Sequence, residues 1–201
     1  LLTEAYHTRS ADVPELVTTN DRPRNHHYLG PIVWSYPAPL PAWWEDIPSD
    51  RPLVYVGLGS SGPVEHLSRI LESLSEMPVT VLVATAGRKE LSAVPDNVYC
   101  ADFLPGREAA ARADLVICHG GSAAAYVALA AGKPVLGIPS NMDQHLTIDY
   151  IAQANAGRSL RSEHVTSRRV RELANAMLHD ADLHAGARRM AEIFAAYDAR
   201  Q

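Results

Sequence analysis

The sequence has no long hydrophobic run. No uncharged apolar stretch reaches the roughly 18 residues needed to cross a bilayer, and the first residues lack the layout of a secretory signal, so no membrane span is expected. Cysteine is scarce. Cys100 and Cys118 both lie in apolar runs, where two such residues build no disulfide framework and read as small buried hydrophobes in a reducing, cytoplasmic setting. Positive charge is also short, with 18 Lys and Arg against 23 Asp and Glu, a net charge of −5 and a pI near 6.0. That balance argues against a nucleic-acid footprint and against a polybasic membrane face. Metal-binding spacing is missing too. His26 and His27 are adjacent, with no cysteine near, and adjacent histidines cannot form a helical ligand pair. No metal and no tightly held cofactor are expected.

What is present is an ordinary globular composition, 47% apolar and 20% charged over 201 residues, enough for a full core. Residues 1–50 differ in texture from the rest. They hold prolines at 14, 23, 31, 37, 39, 41 and 48 and all of Trp34, Trp43 and Trp44, with little periodicity. This reads as an extended linker with a short strand or two, not a core. From residue 52 the pattern is regular. Short apolar runs at 53–59, 79–85, 97–106, 114–121 and 134–140 alternate with helical stretches at 63–77, 107–113, 122–132 and 142–157, and two more helices follow at about 167–179 and 183–199. Short apolar strands alternating with helices predict an α/β fold, a Rossmann-like parallel sheet with helices on both faces.

In open α/β sheets ligands bind at the carboxyl ends of the strands, and the unusual residues fall there. They are Gly59-Ser60-Ser61-Gly62, Ala86-Gly87-Arg88, Asp102-Phe103-Leu104-Pro105, His119-Gly120-Gly121-Ser122 and Asn141-Met142-Asp143-Gln144, one group after each predicted strand. Gly120 and Gly121 let backbone approach a ligand and expose consecutive N–H groups. A helix starting near Ser122 directs its positive end at the same place, which suits phosphate, and His119 adds a donor. A tight turn with a satisfied core histidine would give the same letters. Asp143 and Gln144 likewise read either as helix-start residues, with a cap contributing about 0.5–2 kcal/mol, or as a carboxylate–amide pair bridging sugar hydroxyls.

Gly57 to Gly62 match G-x-G-x-x-G in a strand-to-helix context, which suggests a dinucleotide site. That site needs an acidic residue at the end of the second strand to hold a ribose. Here the second strand ends in Val-Ala-Thr-Ala-Gly, with Glu90 only later. The match reads better as a small-residue turn in which Ser60 meets phosphate.

On these motifs the chain resembles the C-terminal half of a GT-B glycosyltransferase, of the group that includes UDP-glucuronosyltransferases, plant secondary-metabolite glycosyltransferases and bacterial antibiotic glycosyltransferases. The resemblance runs from residues 26–34 through 53–62, 97–106 and the specific block 113–144 into the tail. It implies that Ser60, His119, Gly120, Gly121 and Ser122 hold a donor diphosphate, that Phe103 stacks on the base, and that Asp143 and Gln144 hold the sugar. It also implies that residues 1–50 end an N-terminal domain and form the interdomain linker, and that residues 51–201 bind the donor.

Two substitutions depart from the family pattern. Ala123-Ala124 stand where a hydroxyl residue usually meets phosphate, and Val127 stands where many plant members carry a ribose-binding Glu. The expected function is to bind a UDP- or dTDP-sugar for an inverting, metal-independent transfer to a small-molecule, natural-product-like acceptor. By the resemblance, the catalytic base and acceptor pocket belong to an N-terminal domain outside this chain, which alone should transfer little. The alternatives are a non-catalytic nucleotide-sugar-binding module and a related GT-B enzyme, such as a nucleotide-sugar epimerase or lipid-linked sugar transferase.

Overall fold

The computed structural model describes residues 7–18, 24–59, 64–87 and 94–197. Two short strands, β1 (Thr8–Ser10) and β2 (His26–Tyr28), pair in parallel apart from the main sheet. The main sheet comprises β3 (Leu53–Gly57), β4 (Thr80–Ala84), β5 (Val98–Ala101), β6 (Leu115–Cys118), β7 (Val135–Gly137) and β8 (Gly157–Ser159). Its order is β5-β4-β3-β6-β7-β8, and all pairings are parallel. The helices are α1 (Val64–Ser75), α2 (Gly106–Arg112), α3 (Ser122–Ala130), α4 (Met142–Gln153), α5 (Ser167–Leu178) and α6 (Ala181–Ala195). The chain winds outward one way from β3 to β5, then returns to β6 on the other side of β3. That reversal is the topological switch point where such sheets bind ligands.

Successive strand residues point to opposite faces, and the core divides accordingly. Val54, Val56, Val81 and Val83 pack with Leu67, Ile70, Leu71 and Leu74 of α1 and with Val170 and Met177 of α5. Leu53, Leu82 and Val116 pack on the other face with Ala109, Tyr126, Leu129, Ile148 and Phe194, from α2, α3, α4 and α6. The i, i+3, i+4, i+7 spacing of Leu67, Ile70, Leu71 and Leu74 makes α1 a one-sided helix. Ile70 and Leu74 are fully buried, each contributing about 1.5–3 kcal/mol of apolar burial. By contrast α3 is apolar all round, and Ala125 to Leu129 are all buried, as expected of a helix inside the packing rather than on its surface.

The expected α/β fold is the observed one, and the five predicted strands are present. The sixth strand, β8, was not anticipated. Its residues Gly157, Arg158 and Ser159 carry no apolar pattern, and β8 joins the sheet through backbone pairing with β7. The N-terminal stretch also does more than link. Val13, Leu16, Trp44 and Ile47 are buried in the α2/α3/α6 side of the core, so "not a core" does not hold for these four. Arg112 of α2 donates to the carbonyls of Trp44 at 2.7 Å and Ile47 at 3.0 Å, and its guanidinium lies 5.4 Å from the centre of the Trp44 ring. Tyr126 Oη donates to the Asp12 carboxylate. Among the described residues no helix is long and apolar enough to cross a membrane.

Candidate functional site

A cavity of about 520 Å³ opens at the carboxyl ends of β3, β4, β5 and β6. Gly57, Gly59, Ala84, Ala86, Phe103, Cys118 and His119 line it from the sheet, Ala123, Ala124 and Val127 from α3, and Trp34, Ser35 and Tyr36 from the N-terminal stretch. Phe103 and His119, both singled out in the sequence, therefore line one cavity. The three residues from the N-terminal stretch did not show in the sequence, because a proline-rich segment carries no periodic signal. Arg107 of α2 donates to the Val33 carbonyl at 2.5 Å, which helps fix that segment beside the site.

His119 follows β6, and its ring is held between two glycines. A Cβ on Gly59 would lie 3.2 Å from His119 Cε1, and one on Gly121 would lie 2.6 Å from Nε2. Glycine at both positions thus gives the imidazole its place. Gly59 and Gly120 have positive φ, +62° and +84°, a conformation that costs little only without a Cβ. A Cβ on Gly120 would also come within 2.6 Å of Ile148 Cγ1, so this glycine lets the turn press against α4. The Gly120 N–H points at Cys118 Sγ, 3.4 Å away. Burial pushes the Cys118 thiol up to about 11, which marks it as a neutral packing residue and not a nucleophile.

The starts of α3 and α4 are built differently. The residue before α3 is Gly121, and no side chain caps the helix; Ser122 and Ala123 are exposed. At α4 the side chain of Asn141 accepts from Gln144 N at 3.1 Å. Gln144 Oε1 in turn accepts from Ser140 N at 2.9 Å and Ser140 Oγ at 3.1 Å. The cap of α4 is therefore Asn141, not Asp143. Gln144 is 4% exposed and has its oxygen committed to the helix start, which leaves its amide N–H groups. Asp143 is exposed, and its carboxylate makes no hydrogen bond or ion pair among the described residues. Asp143 and Gln144 do not line the cavity. Their helix start adjoins it, because the Gln144 carbonyl lies 3.3 Å from a Cβ placed on Gly120.

Phe103 is 46% exposed, and the Tyr36 ring lies against it with centroids 4.8 Å apart at 32°. Ser60 falls outside the described residues. Among those described, no three His, Cys, Asp or Glu side chains form a group that could hold a metal ion.

Residues 68–199 match the family described as "Erythromycin biosynthesis protein CIII-like, C-terminal domain". The chain belongs to that family. It is 48% identical over 194 residues, 96% of this chain and 45% of the relative, to a PGL/p-HBAD biosynthesis glycosyltransferase of Mycobacterium tuberculosis (strain ATCC 25177 / H37Ra). It is 46% identical over 194 residues, 96% of this chain and 43% of the relative, to a PGL/p-HBAD biosynthesis rhamnosyltransferase of Mycobacterium bovis (strain BCG / Pasteur 1173P2). The chain thus spans less than half the length of these relatives. Among solved structures, the spinosyn forosaminyltransferase SpnP matches with a TM-score of 0.84 at 20% identity, over 96% of this chain and 52% of that one. The spinosyn rhamnosyltransferase SpnG, complexed with thymidine diphosphate, matches with a TM-score of 0.78 at 25% identity, over 91% of this chain and 51% of that one. The family domain therefore has the fold of the C-terminal half of GT-B antibiotic glycosyltransferases.

Proposed function

We propose that this chain holds the nucleoside diphosphate sugar of a metal-independent, inverting glycosyltransferase. The observation that carries the reading is the single cavity joining Phe103 to His119. Phe103 follows β5 and His119 follows β6, three strand spacings apart in the sheet order, or roughly 14 Å. That span suits a nucleotide laid across the strand ends, base on Phe103 and diphosphate at His119, Gly120, Gly121 and Ser122. The uncapped start of α3 offers N–H groups and a positive helix end to the diphosphate, and Asp143 and Gln144 stand beside it for the sugar.

In transfer, an acceptor hydroxyl attacks the anomeric carbon from the face opposite the diphosphate. The new C–O bond forms as the sugar–phosphate bond breaks, and the diphosphate leaves with the electron pair. Its growing charge is met by His119 and the α3 N–H groups, an electrostatic role that needs no metal. The acceptor's proton goes to a base in the part of the protein that precedes this chain. The thymidine diphosphate bound by SpnG supports a thymidine donor over a uridine one, and the relatives' place in PGL/p-HBAD biosynthesis supports an acceptor of natural-product or glycolipid type.

Calorimetry provides the test. Thymidine diphosphate should bind more tightly than thymidine, and an added chelator should change neither value. Equal affinities for diphosphate and nucleoside would remove the phosphate site. A non-catalytic binding module is the second reading. It is favoured by Ala123-Ala124 and by an inactive PGL/p-HBAD biosynthesis glycosyltransferase of M. bovis that is 47% identical over 74 residues, 37% of this chain. Donor-dependent transfer by the full-length protein separates the two.

A further inference from the structure

We propose that Tyr55 is a donor-binding residue whose hydroxyl hydrogen-bonds the nucleoside part of the nucleotide. This rests on the donor-binding reading above. Tyr55 lies on β3, between β4 and β6 in the sheet, two strand spacings from β5, which leads to Phe103, and one from β6, which leads to His119. Its ring packs on the α2/α3 side of the sheet and lines the cavity.

The hydroxyl makes no hydrogen bond among the described residues, and the side chain is partly buried. Burial, with the nearby Cys118, pushes its pKa up to about 12, so it keeps its proton and stays a donor at neutral pH. Glycines keep the space around it open. A Cβ on Gly57 would lie 3.2 Å from Tyr55 Oη, and one on Gly106 would lie 4.0 Å from it and 3.1 Å from Ser35 Cβ.

A hydroxyl on a cavity wall with no partner in the protein is free to donate to a ligand that fills the cavity. Of the neighbouring wall, Ala84, Ala124 and Val127 supply no side-chain hydrogen-bonding group, and Ser35, near Gly106, makes no hydrogen bond to the hydroxyl. The hydroxyl lies against Gly57 and near Gly106, three residues past Phe103, so a nucleoside laid from Phe103 toward His119 presents acceptors here, its sugar oxygens and its pyrimidine carbonyls.

Tyr55→Phe removes the hydroxyl and keeps the ring. Calorimetry with thymidine diphosphate, thymidine and pyrophosphate should show the first two weakened about tenfold, the scale of one net hydrogen bond. Pyrophosphate should bind as before, and the melting temperature of the ligand-free protein should hold or rise. Unchanged thymidine diphosphate affinity overturns the proposal, and so does an equal loss for pyrophosphate. If the parent chain binds no nucleotide at all, both readings fall, which distinguishes that failure from the failure of Tyr55 alone. Should Tyr55→Phe not fold, Gly57→Ala carries the test, since its methyl crowds the hydroxyl. It should weaken thymidine diphosphate and spare pyrophosphate, and parent-like binding of both overturns the proposal.

Discussion

Two helices begin at adjoining points of the strand-end rim, and they satisfy their first N–H groups in opposite ways. α4 is closed by its own side chains, with Asn141 accepting from Gln144 N and Gln144 Oε1 receiving the N–H and hydroxyl of Ser140. α3 has a glycine before it and no side-chain cap. A helix start leaves about four N–H groups without an intrahelical partner, and water or a ligand must take what side chains do not. The Phe103–His119 cavity is walled by Ala123, Ala124 and Val127 of the same helix, and the proposed reading gives the open start of α3 to the anion. At the closed start of α4 the carboxylate of Asp143 is exposed.

The largest expected effect tests the open start. His119→Ala should weaken thymidine diphosphate binding by about 1–3 kcal/mol, the scale of a charge-assisted hydrogen bond, measured by calorimetry. The ligand-free melting temperature should barely move, because the ring packs against two glycines rather than into the aliphatic core. If stability falls instead and binding follows it, His119 belongs to the framework and α3 loses its distinction from α4.

Next comes the closed start. Gln144→Ala removes the acceptor for Ser140 N and Oγ from a residue that is 4% exposed. It should cost about 1–2 kcal/mol in urea unfolding and leave the bare diphosphate affinity intact. Unchanged stability would mean that the reciprocal bonding around α4 contributes little, and the contrast between the two starts would rest on α3 alone.

This contrast was only half legible in the sequence. His119-Gly120-Gly121 announced a turn and a helix start because glycine and histidine carry their local chemistry in their letters. The five apolar strands were legible for the same reason, since β-branched runs such as that of β3 state their own burial. At α4 the sequence alone points to Asp143 as the cap, whereas Asn141 caps the helix, because the choice depends on where the first helical turn begins. β8 was hidden because a Gly-Arg-Ser edge strand is specified by the exposed edge of β7, not by its own side chains. The cavity wall from Trp34 to Tyr36 was hidden because its position depends on distant partners such as Arg107. Local chemistry shows in sequence, and contacts between distant segments do not.

The smallest effect sharpens the contrast most. Asp143→Asn changes one exposed carboxylate at the second position of α4, where Asn141 already supplies the cap. The fold should lose only the few tenths of a kcal/mol that a negative charge contributes near a helix N-terminus. If Asp143 holds sugar hydroxyls, an intact thymidine diphosphate sugar should bind less tightly by about 1 kcal/mol, a net hydrogen bond's worth. The bare diphosphate, which the proposed reading assigns to α3, should bind slightly better or equally, since the variant removes a negative charge from its neighbourhood. The measurement pairs the two ligands on parent and variant, after a panel of thymidine and uridine sugars has identified the tightest donor. Equal losses for both ligands would place Asp143 with the diphosphate and merge the two helix starts into one site. No loss for either would leave α4 as framework only, with the sugar held elsewhere on the rim.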